Sequence, residues 1–209
     1  MKPPVKSVTP TTLAIQSALA GRSVEAVVIG ASAGGVGALL QLLPGLPVGY
    51  GRAVVALLHM PESRQSQLAQ VFQQRMEMPV REAADKEPLS SGTLYFAGSG
   101  YHLSVETDRS FSLSCEAPLH FARPAIDHLM QSAADAYGPA LLGILLTGAN
   151  HDGAAGMAAI GAAGGLTVVQ DPAEAEVATM PNAAIRLRTP DLILPLNDIH
   201  TLLLMLENN

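Results

Sequence analysis

The chain has 209 residues, 48% hydrophobic and 14% charged, with a net charge of −6. That length suits one domain with its own core, and the acidic balance without a basic run excludes a partner gripped through its phosphates. A single cysteine, Cys115, excludes an intrachain disulfide and a Cys-rich zinc site, while strand-sized apolar runs and the early Pro3, Pro4 and Pro10 argue against a membrane span or a signal peptide.

Residues 1–22 read as a mobile leader with one or two helical turns around 12–19, and the periodic body, residues 23–209, as one catalytic domain. Residues 25–29 form a β-branched run ending in glycine, followed by a helical stretch over 35–43. A second apolar strand covers 53–58, and a Gln-rich helical stretch covers 64–76. Short strands are expected at 79–82 and 93–97. Residues 102–106 and 111–115 alternate apolar and polar positions around Thr107-Asp-Arg-Ser110, the pattern of a hairpin, which makes Cys115 a buried core thiol. Pro124 is placed to open a helix running to Tyr137, before Gly138-Pro139. A fully apolar strand at 141–146 leads to a small-residue helix at 153–163, a strand at 166–170 and a helix from Pro181 to 187. A strand at 192–194 and a helix at 198–206 complete the chain. Continuous apolar strands alternating with helices predict an α/β fold, a three-layer sandwich around a mostly parallel, doubly wound sheet.

Ligands of such sheets bind beyond the carboxyl ends of the strands, so the loops after residues 29, 58, 97, 146 and 170 carry the candidates. The first, Gly30-Ala-Ser-Ala-Gly34, matches G-x-S-x-G between a strand and a helix, which would hold the Ser32 hydroxyl at the sheet edge beside a helix N-terminus. A phosphate loop and a plain glycine turn are the rival readings. The dinucleotide fingerprint would need glycine where Ser32 stands and an acid where His59 stands. Among six histidines, His59 and His151 fall in loops directly after parallel strands, and His59 ends the strand expected beside that of Ser32. It is a candidate base, or a hydrogen-bonded structural residue. In Thr147-Gly-Ala-Asn-His-Asp-Gly153, Asp152 can orient an imidazole or cap the helix that follows. A metal on His151 and Asp152 lacks a third ligand in that loop.

Taken in order, these stretches resemble the catalytic domain of the CheB family of protein-glutamate methylesterases. The matching residues are Val27-Val-Ile-Gly-Ala-Ser-Ala-Gly-Gly35, His59-Met-Pro61, Thr93-Leu-Tyr-Phe-Ala97 with His102, Arg123-Pro-Ala-Ile-Asp127, Leu145-Leu-Thr-Gly148 with Asp152-Gly-Ala154, Val169-Gln-Asp-Pro172 and Met180-Pro181. The resemblance implies a Ser-His-Asp triad on Ser32, His59 and Asp152, no cofactor and no metal. It implies hydrolysis of glutamate methyl esters, with deamidation of some glutamines by the same attack. Its substrate would be the cytoplasmic helical region of methyl-accepting chemoreceptors, and its location the cytoplasm. A methyltransferase or a receiver domain is an implied partner. Regulated members carry a receiver domain ahead of the esterase, and 22 leading residues are too few for one.

The N–H of Ala33 and one from the loop 148–150, with Ala149 and Asn150 standing where many members have Met-Gly, are expected as oxyanion or substrate contacts. Arg123 is either a further substrate contact or a packing residue at the start of the helix, and His102 is expected to be structural. Two other readings stay open beside the esterase: an idle module that docks on receptors, and a nucleotide-binding domain.

Overall fold

The computed structural model describes residues 9–59 and 67–207. The first half comprises helix α1 (Pro10–Leu19), strand β1 (Ala26–Ala31), helix α2 (Gly35–Leu42), strand β2 (Ala53–Leu58), helix α3 (Leu68–Gln73), and strands β3 (Val80–Glu82), β4 (Leu94–Phe96), β5 (His102–Val105) and β6 (Phe111–Ser114). The second half comprises helix α4 (Ile126–Tyr137), strand β7 (Leu141–Leu145), helix α5 (Ala154–Ala162), strand β8 (Leu166–Gln170), helix α6 (Thr179–Leu187), strand β9 (Leu192–Leu194) and helix α7 (Leu196–Leu206). Parts of two expected features, residues 1–8 of the leader and 64–66 of the Gln-rich helix, lie outside the described residues, as do Met60 and Pro61.

The expected α/β architecture is present. A parallel sheet runs β3-β4-β2-β1-β7-β8-β9, and β5 pairs with β6 as a separate antiparallel hairpin. Alternation of side chains along each strand feeds two cores. Val27 and Ile29 of β1 pack with Leu39 and Leu42 of α2, Phe72 of α3, and Ile199 and Leu202 of α7 on one face. Val28 packs with Ile126 and Met130 of α4, Met157 and Ile160 of α5, and Met180 of α6 on the other. The helix after β1 therefore covers one face and the helix after β7 the opposite face. The two loops diverge between adjacent strands, which is the switch point where such sheets open a crevice.

Three local expectations are corrected. The leader is not loose from Pro10 onward: Thr9 accepts from the Thr12 N–H to cap α1, and Ile15 and Leu19 are buried with residues of α7 in the first core. Pro124 does not occupy the first turn of α4, which begins at Ile126 because the first free N–H groups are taken by a side chain from another loop. Cys115 is exposed, since β6 stops at Ser114, whose Oγ accepts from the Glu116 N–H and turns the chain outward.

Candidate active site

Ser32 stands where β1 ends, and its surroundings follow from the sheet register. The ladder continues past the strand ends: the Ser32 N–H donates to Thr147 O at 3.0 Å on the β7 side, and the His59 N–H donates to Ala31 O at 3.1 Å on the β2 side. The three loops are thus held side by side by backbone bonds before any side chain contributes. The turn itself is taken at Gly34, in the left-handed region at φ 78°, whereas Ser32 keeps a negative φ. Gly30 is required for a different reason: a Cβ there would run into Ile126 Cγ2 and lie 3.0 Å from Leu145 Cδ1. Gly30→Ala is expected to overpack this contact and lower stability by about 1–3 kcal/mol, read as a fall in the denaturant midpoint with an unchanged slope.

The imidazole of His59 and the carboxylate of Asp152 meet across the switch point, with Nε2 and Oδ2 2.7 Å apart. Asp152 is fully buried, and His59 retains 12% of its side-chain exposure. The carboxylate also accepts from the N–H groups of Ile126 at 2.7 Å, Asp127 at 2.8 Å and Gly153 at 2.9 Å. Burial pushes its pKa up; the His59 bond and the backbone bonds from Asp127 and Ile126 together outweigh burial and hold it below its ordinary value. An ionised carboxylate makes His59 Nε2 the donor, which leaves the lone pair of the neutral ring on Nδ1. Among the described residues no hydrogen bond joins Ser32 Oγ to His59 or to Asp152.

Asp152 was expected to cap the helix after it, if any. The helix it caps is α4, through Ile126 and Asp127, while Gly153 stands at the N-cap of α5 without a side-chain bond. The favour is returned. Asp127, buried at the start of α4, accepts from the Gly156 N–H in the first turn of α5 at 2.7 Å. Two carboxylates from two helix starts thus satisfy each other's free donors. Burial raises the Asp127 pKa, and the neighbouring Asp152 charge adds to that against the Gly156 bond.

A second imidazole joins this pair. His120 Nε2 lies 3.3 Å from Asp127 Oδ2, and its ring meets His151 edge-on at 4.3 Å. His120 and Phe121 occupy the centre of a two-residue turn closed by Leu119 and Ala122, with φ of 53° and 62°. Side chains rarely adopt that conformation, which costs of order 1–3 kcal/mol each. The turn leaves Phe121 fully exposed. His120, Asp127 and Asp152 place candidate ligand atoms within 4.8 Å of one another. Both Asp152 oxygens and Asp127 Oδ1 are engaged by N–H donors, so the set reads as a cap network rather than a metal cage.

The remaining candidates separate. Ala33 belongs to the elbow, and among the described residues neither its N–H nor that of Gly34 has a hydrogen-bond partner. The Gly148 N–H is already donated to Val177 O at 3.0 Å. Ala149 is exposed, and Asn150 Oδ1 accepts from the Asp152 N–H at 3.2 Å, bracing the carboxylate. Arg123 points back into its own loop, where Nη1 donates to the carbonyls of Cys115 and Glu116, an arrangement that holds residues 115–123 closed. His102 is buried between Ala117 O and the Ala125 N–H, in keeping with a structural role.

Sequence reasoning missed Thr147 and Gln170. Gln170 Oε1 accepts from the Thr147 N–H at 2.8 Å, and Thr147 Oγ1 donates to Ala33 O at 2.9 Å while accepting from the Val177 N–H at 2.9 Å. Thr147 thereby latches the serine loop to the loop after β8. The available signal was a polar residue at or just past the carboxyl end of a buried apolar strand.

The family model for the CheB methylesterase domain matches residues 27–203. A relative in Leptospira interrogans is 40% identical over 185 residues, covering 88% of this chain and 96% of its own. The protein-glutamate methylesterase/protein-glutamine glutaminase of Symbiobacterium thermophilum is 36% identical over 173 residues, 83% of this chain but 48% of its own length. The crystal structure of the Thermotoga maritima CheB methylesterase catalytic domain superposes with a TM-score of 0.82 at 30% identity, covering 88% of this chain and 99% of that one.

Proposed function

The chain belongs to the CheB methylesterase family, and we propose that it hydrolyses methyl esters of glutamate side chains on chemoreceptor proteins through Ser32, His59 and Asp152. The observation that carries this reading is the part-buried 2.7 Å bond between His59 and Asp152, formed across the end of the strand that leads into Ser32.

In the proposed cycle the Ser32 hydroxyl attacks the ester carbonyl while its proton passes to His59 Nδ1. Asp152 holds the ring by Nε2 and stabilises the imidazolium. The carbonyl oxygen becomes an oxyanion beside the free N–H groups of Ala33 and Gly34 at the start of α2. Collapse expels methanol, which takes the proton from His59. Water then attacks the glutamyl-serine ester with His59 again accepting a proton. The tetrahedral intermediate expels Ser32, whose oxygen takes that proton back from His59, and the receptor glutamic acid leaves as a carboxylate with its proton released to solvent. A glutamine side chain follows the same path with ammonia as the leaving group. The names of the relatives support both activities. Among the described residues no helix is long and apolar enough to cross a membrane.

The test is methanol release from a methyl-esterified receptor fragment. Wild type is expected to release methanol and Ser32→Ala to fall to background. Equal, slow release by both would end the esterase reading and leave an idle receptor-docking module as its successor.

A further inference from the structure

The hydrolysis proposed above turns a neutral side chain into an anion at a place built to attract anions. The N-terminus of α2, with the free N–H groups of Ala33 and Gly34, must stabilise an oxyanion. The same donors would also hold the product carboxylate, and unmethylated receptor glutamates with it. A site of this kind needs something to disfavour the acid without disfavouring the ester.

Glu176 stands at that spot. Its Cβ and Oε2 each lie 2.8 Å from where a Cβ on Gly34 would be, so the missing side chain of Gly34 is the space its carboxyl group fills. The residue after it is fixed on both sides: the Val177 N–H donates to Thr147 Oγ1 at 2.9 Å, and Val177 O accepts from the Gly148 N–H at 3.0 Å. Since Thr147 Oγ1 also donates to Ala33 O, the segment carrying Glu176 is tied to the serine loop itself. Among the described residues the carboxylate has neither a hydrogen-bond donor nor a cation as partner. Its charge is not neutralised locally.

We propose that Glu176 is a specificity-determining residue that selects neutral glutamate esters and glutamine amides over free glutamate, and so limits inhibition by the product. This rests on the methylesterase reading. The selectivity follows from net charge at each stage. Ester or amide in the site adds no charge. In the transition state the oxyanion is accompanied by the imidazolium formed on His59, so the reacting groups are again neutral in sum. Only the released carboxylate, beside a neutral His59, adds a full negative charge to the field of Glu176. Repulsion therefore falls most heavily on the product.

The experiment measures inhibition of methanol release by two unreactive competitors of one receptor fragment, with Ser32→Ala as the inactive control. One competitor carries glutamate at the modified position, and the other a non-hydrolysable neutral isostere. In Glu176→Gln the inhibition constant of the acid fragment is expected to fall by about 3- to 10-fold at low salt, a difference that shrinks as added salt screens this exposed charge. The neutral fragment should change far less, and Glu176→Asp should restore discrimination. An unchanged acid constant, or equal tightening of both fragments, overturns the inference. Methanol release by Ser32→Ala equal to wild type would instead overturn the methylesterase reading, and the role of Glu176 would fall with it.

Discussion

His59→Ala is expected to lower kcat for methanol release by about 10⁴- to 10⁶-fold, the scale on which removal of a triad base acts. The size follows from what Ser32 would be left with. Its hydroxyl is no nucleophile at neutral pH without a base, and among the described residues the only imidazole held by the Asp152 carboxylate is that of His59. The fold should survive the change. Asp152 would keep the N–H groups of Ile126, Asp127 and Gly153, so the start of α4 stays capped and circular dichroism should match wild type. A variant that retained most activity would reassign the base, and His120 and His151, edge to face at 4.3 Å beside Asp127, would be tested next.

How much of this was legible in the sequence depends on the distance over which each cause acts. Strands β2 and β8 announce themselves through unbroken apolar runs, and their predicted limits agree with the structure residue for residue. Ser32, His59 and Asp152 were legible as polar residues at the carboxyl ends of such runs, where a parallel sheet gathers its loops. What could not be read locally was set by partners far along the chain. The start of α4 moves from Pro124 to Ile126 because a carboxylate 26 residues later takes the Ile126 N–H. The expected start of α6 at Pro181 gives way to Thr179, whose neighbour Met180 donates its N–H to Gly148 O. Nothing near Asp127 in sequence reveals that it faces His120 and caps α5. Arg123 looked available to substrate only because the carbonyls it clamps belong to a loop with no periodic signal.

Asp152→Asn separates the triad duty proposed for this carboxylate from the capping duty it performs in the structure. As a triad member its loss is expected to lower kcat by about 10⁴-fold, because an amide in that position can donate to Nε2 and so hold the imidazole in the wrong tautomer. As a cap its loss is milder, since the amide oxygen can still accept from Ile126 or Asp127, with a cost of about 0.5–2 kcal/mol. The pH dependence of stability distinguishes the duties further. The folded-state pKa of Asp152 lies below its ordinary value, so this group contributes stability that is present above that ordinary value and is lost as pH falls through the lowered folded one. Asp127 behaves oppositely: its raised pKa means that the fold binds its proton more tightly than the unfolded chain does, and stability falls as pH rises from the ordinary value through the raised one. Asp152→Asn removes the first dependence. It also removes the neighbouring charge that helps to raise Asp127, so the Asp127 pKa should move down. Chemical denaturation followed from acid to neutral pH should therefore show a flatter curve for the variant: the loss of stability toward acid that Asp152 contributes disappears, and the loss toward neutral pH that Asp127 contributes shrinks. Parallel curves for the two proteins, offset by a constant, would mean that Asp152 is not the carboxylate on which acid sensitivity depends.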